Sequence, residues 1–124
     1  MIEMDDEIVA VFNRFPDVER KGLLALRGRI LAVANAEGIA LDESLRWGQP
    51  AYLAAKGSTI RLGVPKTGGY AIYTHCQSTL MSDFRAVCPG LNFEGNRAVH
   101  FAADESPPDA IDLLIKAALT YHMA

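Results

Sequence analysis

The chain has 124 residues, half of them hydrophobic and 22% charged, with 12 Lys and Arg against 15 Asp and Glu for a formal charge of −3. That length suits one domain with a core of its own, and that composition excludes a disordered chain. The mild acidity lacks the basic footprint of a nucleic-acid binder, and no apolar run reaches the ~18 residues of a membrane span.

The amino terminus, Met1-Ile2-Glu3-Met4-Asp5-Asp6-Glu7, is acidic where a secretory signal is basic, so a cytoplasmic location is expected. Cys76 and Cys88 are too few for a disulfide framework and are expected as thiols. Residues 5–15 read as a short helix, because Ile8, Val11, Phe12 and Phe15 recur at helical spacing. Asp5, Asp6 and Glu7 fall in its first turn, at the positive end of the helix dipole. Pro16 ends it by disfavouring helical geometry in the residue before it.

The longest helix is expected over 17–37, with Leu23, Leu26, Ile30, Val33 and Ala34 as its apolar stripe. Gly22 and Gly28 each cost about 1 kcal/mol relative to alanine there, which suggests a close neighbour or a break. Gly38 is a natural stop, and Asp42 suits the cap of a short helical turn through Arg46.

The pattern then changes to period two. Residues 51–55 read as a strand with Lys56-Gly57-Ser58 as its turn. Thr59 to Val64 alternates, with Ile60, Leu62 and Val64 on one face. Pro65 to Gly69 is turn chemistry, and Tyr70 to His75 is the returning strand. Residues 78–87 read as a helix with Leu80, Phe84 and Val87 inward and Met81 as a further candidate for that face. Leu91–Glu94 and Arg97–Ala102 form a second hairpin turned at Gly95-Asn96. The last helix is expected over 107–122, capped by Ser106 with Pro107 as its first residue. The predicted class is therefore α+β: a single domain over residues 1–124, with a largely antiparallel sheet of about five strands and helices packed on one face.

Leu26-Arg27, the stretch Leu45-Arg46-Trp47-Gly48-Gln49-Pro50-Ala51-Tyr52, the strands Ile60-Arg61-Leu62-Gly63 and Tyr70-Ala71-Ile72-Tyr73, and the region after Pro107-Pro108 resemble the YdhG-like family of small bacterial domains. The Trp-Gly-x-Pro-x-Tyr core is the most specific part of the likeness. The resemblance implies an α+β domain with an antiparallel sheet. Some relatives carry the label of frataxin-like iron chaperone, which implies an acidic iron-binding surface but no particular ligands here.

The residues themselves carry little catalytic chemistry. His75 and Cys76 are adjacent, so in a strand they point to opposite faces. No CxxC or HExxH spacing occurs, which argues against a zinc site. No serine lies in a G-x-S-x-G context. Asp5, Asp6 and Glu7, with Glu3, Asp17 and Glu19 nearby, have the hard oxygens iron takes; helix-dipole complementation explains the same residues without a metal.

Two stretches invite a binding role. Trp47 and Tyr52 suit the walls of a pocket, with Arg46 supplying charge and Gln49 an amide; the alternative is that Trp47 plugs a helix–sheet junction. Arg61, Tyr70, Tyr73 and His100 are expected on the sheet face without helices, a surface for a partner or a homodimer. The leading expectation is a non-catalytic binding module for a small ligand or protein partner at Arg46, Trp47, Gln49 and Tyr52. It needs no cofactor, nucleic acid or membrane. The alternatives are an iron chaperone with a weak site at Asp5, Asp6 and Glu7, and an enzyme with a pocket near Trp47.

Overall fold

The alternating segments of the middle of the chain close into one sheet of six strands in a computed structural model that describes residues 3–123. Met1 and Ile2 of the acidic start, and Ala124, lie outside the described residues. Two helices come first, α1 (Asp6–Arg14) and α2 (Asp17–Ala36). Four strands follow: β1 (Asp42–Arg46), β2 (Gln49–Leu53), β3 (Ile60–Gly63) and β4 (Tyr70–Tyr73). Then come α3 (Leu80–Val87), β5 (Asn92–Glu94), β6 (Ala98–Phe101) and α4 (Ile111–Leu119). The strand order is β1-β2-β3-β4-β6-β5, and every neighbouring pair is antiparallel. The α+β class holds, with one strand more than expected. Among the described residues no helix is long and apolar enough to cross a membrane.

The helices cover one face. Ile8 and Phe12 of α1, Leu23, Leu26 and Ile30 of α2, Leu80, Met81 and Phe84 of α3, and Ile111, Leu114 and Ile115 of α4 form one core with Tyr52, Ile60, Leu62, Tyr70, Ile72, Val99 and Phe101 from the sheet. α2 runs unbroken through both glycines. Gly22 is required by a neighbour: a Cβ there would stand 2.4 Å from Cε1 of Tyr70. Gly28 is exposed and would meet nothing within 4 Å.

Several expectations are corrected. Residues 42–46 are an edge strand, not a helical turn. Glu43 and Leu45 face the helices while Ser44 and Arg46 face away, in register with Tyr52, Pro50, Ala51 and Gln49. α4 begins at Ile111 rather than Pro107, and its start carries no side-chain cap. Pro108 holds Pro107 out of helical geometry, so the helix starts only after the turn in which Ile111 N–H donates to Pro108 O at 3.0 Å. Val87 is exposed rather than inward, while Met81, the further candidate, is buried with Leu80 and Phe84.

Tyr70, expected on the open face, is fully buried on the helix side. Strand alternation puts it with Ile72, while Ala71 and Tyr73 take the opposite face. Its ring packs on Phe101, with centroids 5.1 Å apart, and its hydroxyl donates to the Glu105 carbonyl. Burial, followed by the Glu105 charge, pushes its pKa up to about 12.

Gly22→Ala should destabilise the protein by about 1–3 kcal/mol through overpacking on Tyr70, whereas Gly28→Ala should stabilise it by about 1 kcal/mol; urea denaturation of the two variants measures both. The raised folded pKa of Tyr70 means the native state keeps a proton that the unfolded chain loses from about pH 10 upward. Its contribution to stability is therefore fully present below that pH and is lost as pH rises towards about 12. Tyr70→Phe should flatten this alkaline fall in the denaturation midpoint; an unchanged slope would contradict the assignment.

Candidate functional site

β1 and β2 are joined by two residues only, because Arg46 pairs with Gln49. Trp47 has φ 51° and Gly48 φ 74°, the double positive φ of a type I′ hairpin turn. Among the described residues Trp47 is the one non-glycine residue with positive φ. An L-residue held there costs roughly 1–2 kcal/mol, and Asn or Gly is the usual solution. The indole does not recover that cost by burial, since it is 88% exposed. Pro50 pairs with Leu45 but lies outside the register between β2 and β3, which joins Ala51 to Arg61 and Tyr52 to Ile60, so its missing N–H is tolerated.

The hairpin is pinned to the helix layer by a buried cluster. Arg27 of α2 grips Glu43 of β1 with two hydrogen bonds, Nε to Oε2 at 2.6 Å and Nη2 to Oε1 at 3.0 Å. Tyr52 of β2 donates its hydroxyl to the same Oε2 at 2.7 Å. The hydrogen bond to Glu43 raises the Arg27 pKa. Burial first, and then Glu43, drives the Tyr52 pKa far up, keeping the phenol protonated. A charge pair this buried needs the third group to satisfy its remaining lone pairs.

On the other face, four side chains stack alternately. The Arg61 guanidinium lies 5.0 Å from the Trp47 ring centroid and 5.4 Å from that of Tyr73, and Arg97 lies 5.3 Å from Tyr73 on its own account. Gln49 positions Arg61 by accepting a hydrogen bond from Nη1 at 2.6 Å. Gly63 makes this possible, because a Cβ there would sit 2.4 Å from Gln49 Nε2. Burial, then the neighbouring charge of Arg97, lowers the Arg61 pKa.

Beside this stack is a cleft of about 530 Å³ lined by Arg46, Trp47, Thr59, Arg61, Thr74, His75, Cys76 and Arg97. Its charged lining is cationic. Thr74 is almost wholly buried, and its Oγ1 has no hydrogen-bond partner among the described residues. His75 Nδ1 accepts the Gln77 backbone N–H at 3.1 Å. Cys76 and Cys88 are free thiols. A second groove of about 440 Å³, between α2 and residues 103–107, mixes Asp17, Lys21, Asp104 and Glu105 and contains no comparable stack.

Of the four residues expected to hold a ligand, Arg46 and Trp47 line the cleft, and Gln49 acts through Arg61. Tyr52 does not belong: it is fully buried on the helix side, because strand alternation sets it opposite Gln49 and Ala51. Of the four expected partner-surface residues, Arg61, Tyr73 and His100 are on the open face and Tyr70 is in the core. Tyr73 is nonetheless 4% exposed, roofed by the two arginines. His100 stands apart from the cleft, with Nε2 2.7 Å from Glu94 Oε1.

Asp5, Asp6 and Glu7 are exposed at the start of α1. Among the described residues no three or more His, Cys, Asp or Glu side chains converge as a metal site would require. Arg97, Thr74 and Thr59 are cleft residues that sequence reasoning missed. The pairings of Arg61 with Tyr73 and of Tyr73 with Ala98 bring them in, and local spacing carries no trace of those. No protein-family model matches the chain, and no curated protein or solved structure matches it.

The buried cluster sets an expected order of stability losses. Arg27→Met should cost about 3–5 kcal/mol by leaving Glu43 uncompensated. Tyr52→Phe should cost about 1.5–3 kcal/mol, the range for a hydrogen bond to a charged group. Chemical denaturation tests both; equal small losses would mean the carboxylate finds water instead.

Proposed function

We propose that this protein is a non-catalytic binding module whose ligand sits in the open-face cleft against Trp47. The observation that carries the reading is the indole itself. An unfavourable backbone conformation presents a large aromatic ring to solvent, on a turn where Asn would fold better. Strain of this kind collects at functional sites, and an exposed ring braced from behind by Arg61 is ready to stack on a ligand. The cleft's size falls in the range of small-molecule sites.

His75 and the free thiol of Cys76 line the cleft, and among the described residues no carboxylate pairs with that histidine, which supports binding over catalysis. The histidine–carboxylate pair on this face, His100 with Glu94, is not among the cleft-lining residues. The proposal includes a cytoplasmic setting, in which Cys76 and Cys88 stay reduced. It also includes kinship with the YdhG-like domains, on the Trp47-Gly48 turn followed by Pro50 and Tyr52.

Trp47→Asn separates the two roles of this residue. The folded protein should be as stable as before or up to about 1 kcal/mol more stable, because Asn-Gly suits a type I′ turn. Binding should fall at least tenfold. Trp47 is the chain's one tryptophan, so its fluorescence reports directly on a screen of small metabolites, and calorimetry then compares the variant. A variant destabilised by several kcal/mol, or one that binds the screen's hits unchanged, would refute the reading.

A further inference from the structure

We propose that the cleft takes a phosphate monoester joined to a planar ring, a mononucleotide-like metabolite, with the ring packed on the exposed indole of Trp47 and the phosphate among Arg46, Arg61 and Arg97. This rests on the binding reading above and names its ligand class.

The cleft is a cationic spot on an acidic chain. The chain as a whole carries −3, yet the charged side chains of this cleft are three arginines. Their partners are few. Arg61 is half-buried and makes its hydrogen bond to a neutral amide, Gln49 Oε1. Arg97 pairs with Glu94 at 3.1 Å. For Arg46, exposed on the edge strand, no carboxylate partner is found among the described residues. Arg61 and Arg97 also flank one Tyr73 ring and repel each other. One carboxylate, Glu94, therefore stands against three guanidiniums, and an anion relieves the difference. A phosphate monoester near neutral pH brings close to two charges and three acceptor oxygens, which suits several forked guanidinium donors better than a single carboxylate does.

Trp47 lines the same cleft as the three arginines and is 88% exposed even with Arg61 over one side of its ring. A planar ring packed on that indole shares one cleft with the three guanidiniums, which puts its phosphate within their reach. The neighbouring side chains already pack in this manner, in the order indole, guanidinium, phenol, guanidinium. Thr74 adds a polar group to the lining. Its hydroxyl oxygen is buried at the cleft wall without a partner among the described residues, the kind of orphan that a small rearrangement around a bound ligand would satisfy.

The test is titration of the full chain in phosphate-free buffer at low salt, read by Trp47 fluorescence and calorimetry. The probes are AMP, adenosine, inorganic phosphate and a single-stranded hexanucleotide. AMP should quench the indole and bind at least tenfold more tightly than adenosine or inorganic phosphate. Arg46→Gln and Arg97→Gln, both at exposed positions, should each weaken AMP about tenfold and leave adenosine within twofold. AMP and adenosine binding equally would overturn the phosphate assignment, and AMP and inorganic phosphate binding equally would overturn the ring. A hexanucleotide more than tenfold tighter than AMP would replace the small ligand with a polymer. If AMP fails while other screened metabolites still quench Trp47, this inference falls and the binding reading stands. If Trp47→Asn leaves all binding unchanged, both fall.

Discussion

Glu43 is a carboxylate inside a protein interior, and the position of the candidate site follows from how it is held. Its side chain is 3% exposed and that of Arg27 is 11% exposed. Removing such charges from water is costly, and their attraction offsets the cost only with good geometry and further hydrogen bonds. Arg27 supplies the fork and Tyr52 the extra donor. The three residues come from α2, β1 and β2, so one cluster joins the longest helix to both strands of the hairpin. β1 is an edge strand, with β2 as its neighbour in the sheet. Without this anchor its purchase on the helix layer would rest mainly on Leu45, which packs against the core only in part. The turn that presents Trp47 is as well placed as that cluster makes it.

The opposite face of the sheet obeys a different rule. It has no helix to cover it, yet Ala71, Tyr73 and Ala98 are buried there. Arg61 and Arg97 provide the cover by laying their guanidiniums over the phenol ring. Arginine suits this work, since its planar head is weakly hydrated and stacks on aromatic faces. The result is a surface that is apolar below and cationic above. It shields its own aromatic residue, and it leaves positive charge beside an exposed indole. Small residues permit the arrangement: Gly63 leaves room for Gln49, which in turn holds Arg61.

Much of this was readable from residue patterns. The period-two runs of Ile60 to Val64 and Tyr70 to His75, and the helical stripe of Leu23, Leu26 and Ile30, reach the core because burying an apolar face is the dominant favourable term. β1 was not readable as a strand. Five residues with charges at Asp42, Glu43 and Arg46 resemble a capped turn, and Trp-Gly is not a familiar hairpin signal. The start of α4 was misplaced because Pro107 is a favoured first helical residue only when no second proline follows.

Sequence alone was enough to establish an α+β chain with an antiparallel sheet, and to single out Arg46 and Trp47, because periodicity and residue rarity are local properties. Only the tertiary structure decided that Tyr52 and Tyr70 are core residues while Tyr73 lies under arginines. That outcome depends on which face each strand turns towards the helices, and a one-residue change of register reverses it. The partners of Arg61 and Arg97 were settled in the same way, by antiparallel pairing between segments distant in the chain.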